Sequence, residues 1–131
     1  MTFSIRAIIE ILGFPKEHVK EIANKILETL KNEENIHVKK DFIEEPIQEK
    51  KLWSTFMELE LEIKDFIHLN YFCFNYTPSS IEILDIKELT LTSRELTAAL
   101  NDSLHKLHNF NITISKLFAE NIALKRSSSS P

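Results

Sequence analysis

Ser54-Thr55-Phe56-Met57-Glu58-Leu59-Glu60-Leu61-Glu62-Ile63 alternates with a period of two. Thr55, Met57, Leu59, Leu61 and Ile63 fall on one side; Ser54, Phe56, Glu58, Glu60 and Glu62 fall on the other. Such alternation predicts a strand with one buried face. Three glutamates on the opposite face predict that helices cover only the apolar side.

The flanking segments extend the pattern. Phe3, Ile5, Ala7, Ile9 and Ile11 alternate with Ser4, Arg6, Ile8 and Glu10, which predicts a first strand. Gly13-Phe14-Pro15 breaks it, and Pro15 suits the first position of a helix. Val19, Ile22, Ala23, Ile26, Leu27 and Leu30 then recur at three- and four-residue intervals, predicting an amphipathic helix. A second strand is expected over Ile36-His37-Val38-Lys39-Lys40-Asp41-Phe42, and the polar stretch from Glu44 to Lys51 reads as a long hairpin loop. Beyond the glutamates, Asp65 is placed to cap a short helix carrying Phe66, Leu69, Cys73 and Tyr76. Thr77-Pro78-Ser79-Ser80 ends it, and a fourth strand follows from Ile81 to Ile86.

The order β-α-β-β-α-β matches the ferredoxin-like arrangement, an α+β fold with an antiparallel sheet and both helices on one face. It accounts for residues 1–91. Residues 92–126 are expected to form a separate long helix, and residues 127–131 a disordered tail.

The long helix opens at Leu91-Thr92-Ser93-Arg94-Glu95-Leu96. Thr92 and Glu95 have capping-box spacing there, and Leu91 and Leu96 suit a hydrophobic staple. Leu96, Leu100, Leu107, Phe110, Ile114, Leu117 and Leu124 then form a seam near the coiled-coil repeat, with Asn121 at a core position. Ser103, the outward Ile112, and the flanking Leu104 and Phe118 depart from a strict two-stranded coil. From Ser93 to Lys125 the span is about 50 Å at 1.5 Å per residue. Its weakest point is His108-Asn109-Phe110-Asn111, and it is read as continuous through it.

Composition restricts function. The 131 residues include a 43% apolar fraction, enough for a core. Net charge is −4, which argues against a nucleic-acid surface, and no apolar run reaches membrane-spanning length. The amino terminus lacks secretory-signal features, and Cys73 is the single cysteine, so a cytoplasmic location is expected. One glycine, Gly13, rules out a dinucleotide fingerprint or a P-loop. An RNA-recognition motif is rejected because the face bearing Glu58 lacks a stacking platform.

The glutamate row could in principle hold a hard cation or do acid–base work. Same-face positions on a strand lie about 6.6 Å apart, however, and no neighbouring base is present in sequence. The preferred readings are a solvated face or a partner face. Phe56 and Trp53 would be its apolar anchors, and Glu58, Glu60 and Glu62 would meet a basic segment of another protein. His105 and His108 read as exposed, and Cys73 as a small packed hydrophobe. No catalytic residue, metal or cofactor is expected. The aromatic residues Phe66, Tyr71, Phe72, Phe74 and Tyr76 exceed what one buried helix face can take, so some are expected at a subunit boundary.

The expected function is therefore a non-enzymatic homo-oligomeric interaction module, a dimer through the last helix, with no nucleic-acid or membrane partner. The alternative is a regulatory domain of the ACT kind binding a small molecule, with Gly13 at the first strand-to-helix turn.

Overall fold

The computed structural model describes residues 2–129. It divides into two units, Met1–Thr92 and Ser93–Pro131.

The first unit is α+β, built on a five-stranded antiparallel sheet. Its elements are β1 (Phe3–Gly13), α1 (Lys16–Lys31), β2 (Ile36–Ile43), β3 (Ile47–Glu49), β4 (Leu52–Ile63), α2 (Phe66–Tyr76) and β5 (Ser80–Ile83). Strand order is β2-β4-β1-β5, and β3 pairs with the start of β4 beside β2. The register sets Phe3 opposite Ile63 and Gly13 opposite Trp53, so the two long strands pair over the whole length of β1. β5 covers only Ile5 to Ile8 of β1.

The alternation in β1 and β4 becomes one side of the core. Phe3, Ile5, Ala7, Ile9 and Ile11 are buried, as are Met57, Leu59, Leu61 and Ile63. α1 lays Val19, Ala23, Leu27 and Leu30 on that face, and α2 adds Leu69 and Phe72. Both helices therefore sit on one side of the sheet. Each Leu, Ile or Phe fully buried here contributes about 1.5–3 kcal/mol of transfer free energy. Asp65 caps α2, accepting the His68 backbone N–H at 2.9 Å. Burial opposes the charge on Asp65, but the backbone and ring nitrogens of His68 outweigh it and hold the carboxyl below its ordinary value. α2 ends on Thr77, whose φ of 44° is left-handed and whose N–H bonds Cys73 O.

Several expectations need correction. The loop from Glu44 to Lys51 contains β3, whose turn into β4 places Lys50 at a φ of 57°. Three exposed residues after a proline carry no alternation to read. Pro15 is the cap of α1 rather than its first helical residue, in an extended conformation that leaves its carbonyl to accept from His18 and Val19. Trp53 lies on the core side, half-buried with the Lys16 ammonium 5.3 Å from its ring centroid, because it is out of phase with Phe56 by one odd number. β5 ends at Ile83, before the Ile86 expected from sequence.

The second unit is one helix, α3 (Ser93–Ser129). It runs unbroken through Asn109. It also continues through Ser127 and Ser128, where a disordered tail was expected; residues 130 and 131 of that segment lie outside the described residues. No helix of the described residues is long and apolar enough to cross a membrane.

Candidate interaction surfaces

The sheet face turned away from α1 and α2 carries the glutamate row. Pairing with β1 sets Arg6 opposite Glu60, and pairing with β5 sets it opposite Glu82. The Arg6 guanidinium reaches Glu58 at 3.7 Å, Glu60 at 3.5 Å and Glu82 at 3.3 Å. Lys39 takes Glu62 at 2.7 Å, and that bond raises the lysine above its ordinary value. A bulge between Val38 and Lys40 brings Lys39 to this position. Opposite charges across a strand pair favour each other, and here they offset part of the like charge along β4. The middle of this face is thus an ion-paired network of four carboxylates and two cations, which keeps a net negative charge.

The character changes beyond Glu58. Across the sheet, Leu12 on β1, Ser54 on β4 and Ile47 on β3 form one row. The small Ser54 between two large residues leaves a trough of about 540 Å³, with Phe56 beside it. Leu12 and Ile47 are 60% and 59% exposed. Glu10, Glu44 and Glu49 rim the trough. None of the three makes an ion pair among the described residues. Glu44 is fixed by its backbone, which donates to Phe56 O at 3.0 Å and accepts from the Thr55 hydroxyl. Of the residues proposed from sequence as a partner face, Phe56 belongs to this trough, whereas Glu58 and Glu60 share Arg6 and Glu62 pairs with Lys39. The trough itself was missed, because it depends on three strands being in register.

α3 presents a long apolar surface. Leu96, Leu100, Leu107, Phe110, Ile114, Leu117 and Leu124 are between 45% and 69% exposed. Asn121 and the flanking Leu104 and Phe118 are exposed as well. His105 and His108 are exposed, with the Asn109 amide 3.4 Å from the His105 ring.

The remaining reactive groups have structural partners. Tyr71 and Tyr76 both donate to Glu33 Oε1, at 3.1 and 2.7 Å, tying α2 to the end of α1. Phe72 stacks on Tyr76 at 5.5 Å and is fully buried, so much of the aromatic cluster is used inside the unit. Cys73 packs against the core, and burial pushes its thiol up. Gly13 lets α1 approach β1: a Cβ there would lie 3.3 Å from Val19 Cγ2. Among the described residues, no group of three or more His, Cys, Asp and Glu is placed to hold a metal ion.

No curated protein and no solved structure matches the chain. One family profile does, over residues 4–124, from the second residue of β1 to the last leucine of the α3 seam. The match takes in both units, and on that extent the chain belongs to the MJ0538 family.

Proposed function

We propose that this protein is a non-enzymatic cytoplasmic interaction module that forms a dimer through α3. The observation carrying this reading is the apolar surface of α3, where eleven large side chains are each at least 36% exposed. Soluble monomers rarely leave contiguous apolar patches above a few hundred Å² in water. At 37 residues, α3 is about 55 Å long. A unit the size of the first has a radius of gyration of roughly 12 Å, so it is too small to cover such a helix from end to end. Leucine at 96, 117 and 124, Ile114 between them, and Asn121 in the seam favour a two-stranded association.

The first unit is read as a ferredoxin-like domain into which β3 has been inserted. Its strand order supports this: with β3 set aside, β4 lies between β1 and β2, and β1 lies between β4 and β5. Each helix thus links two parallel strands that are separated by an antiparallel one, as a split βαβ unit requires.

Light scattering of the full chain at tens of micromolar should give the mass of a dimer. Leu107→Asp with Leu117→Asp should give a monomer whose sheet circular dichroism is unchanged. A monomeric wild-type chain sinks the proposal, and so does global unfolding of the double variant.

A further inference from the structure

We propose that the trough formed by Leu12, Ser54, Ile47 and Phe56 is the receptor for α3 of a second copy of this chain. The inference rests on self-association through α3 and names the surface that receives the helix.

Charge divides between the two units. Residues 1–92 carry eleven Lys and Arg against seventeen Asp and Glu, a net −6, while residues 93–131 carry five against three, a net +2. The contrast sharpens locally. The trough has three carboxylates, Glu10, Glu44 and Glu49, that make no ion pair among the described residues. Residues 102–126 of α3 carry Lys106, Lys116, Lys125 and Arg126 against Asp102 and Glu120, and Asp102 pairs with Lys106 at 3.3 Å, which leaves a net +2. Complementary charge of this kind steers encounter and disfavours like-to-like pairing. The acidic rim attracts the basic half of α3.

Dimensions agree. Phe110, Ile114 and Leu117 stand at i, i+4 and i+7, the spacing with which an amphipathic helix anchors in an apolar groove. They span about 10.5 Å of helix axis. The trough's rim from Glu44, bonded to Phe56, to Glu49, opposite Leu52, runs beside β4 for about 13 Å. The small Ser54 at its floor leaves depth for a large side chain, and Leu12 and Ile47 wall it on either side. The exchange is reciprocal, since each copy offers one helix and one trough, which closes a two-fold dimer.

The test uses two full-length variants and their mixture. Leu12→Glu with Ile47→Glu blocks the trough at two well-exposed positions; Leu107→Asp with Leu117→Asp disables the helix. Sedimentation or light scattering should show each variant at least tenfold weaker in dimerisation than the wild type. Mixed one to one, they should recover a heterodimer through the single intact trough and the single intact helix. Glu10→Lys with Glu49→Lys, which alters surface charge only, should weaken the dimer in the same way and serves if the first trough variant fails to fold. A trough variant that dimerises like the wild type, or a mixture that stays monomeric, overturns the trough while leaving α3 pairing standing. A wild-type monomer overturns both.

Discussion

Glu33, two residues past the end of α1, ties that end to α2 through polar groups. The chain has two tyrosines, and both donate to the same oxygen of this carboxylate. Burial first, and then the bond to Glu33, raises both phenols above the ordinary value near 10. A phenol whose folded value is raised stabilises the fold fully below its unfolded value, and that contribution is lost as pH climbs through the folded one. Ultraviolet titration of phenolate should therefore find no tyrosine ionising at the free-tyrosine midpoint while the chain is folded. Denaturant should restore both to it. Glu33→Ala should move both midpoints down and cost about 1–2 kcal/mol, the scale of hydrogen bonds to a charged acceptor that is partly solvated. Unchanged midpoints in that variant would show that burial alone holds the phenols neutral. Nothing in the sequence links Glu33 to residues about forty positions later, so this contact was not legible there.

Among the elements, α2 carries the clearest local conflict. Thr77 ends it in the left-handed region, where a β-branched side chain is disfavoured by about 1–2 kcal/mol and glycine is at ease. Thr77→Gly should raise stability by about 1 kcal/mol in denaturant titration, provided the N–H of residue 77 keeps its bond to Cys73 O. A loss of stability would mean that the threonine side chain does more than fill space. The elements with their own periodicity were readable from sequence. The odd residues of β1 and β4 and the buried stripe of α1 hold their signal within one segment. β3 did not, being three residues long and closed by a turn with lysine rather than glycine or asparagine at positive φ. The helix propensities around Asn109 were legible but too weak to break α3, each costing only a few tenths of a kcal/mol. The candidate surfaces divide in the same way. The α3 stripe is a property of one helix and was visible. The pairing of Arg6 with three glutamates and the trough at Ser54 are properties of register between strands, which alternation in a single strand does not encode.

At the scale of the whole molecule, the proposed association carries a consequence for stability. A partner that binds only the folded state adds RT ln(1 + [L]/Kd), about 2.7 kcal/mol at a hundredfold excess over Kd. The melting temperature of the full chain should therefore rise with protein concentration, and that of Leu107→Asp/Leu117→Asp should not. A melting temperature independent of concentration in both proteins would mean that the apolar stripe of α3 contributes nothing through a second copy. The shortness of β5 has its own consequence. It leaves β1 from Glu10 onward without a strand on that side, and the backbone groups of Glu10 and Leu12 face the gap. An open strand edge with alternating apolar residues is a template onto which other chains can add in extended form, a route to insoluble fibres rather than to a defined dimer. The carboxylate of Glu10, set within this edge between Ile9 and Ile11, is the residue that discourages such growth, because stacking successive copies would bring like charges into register.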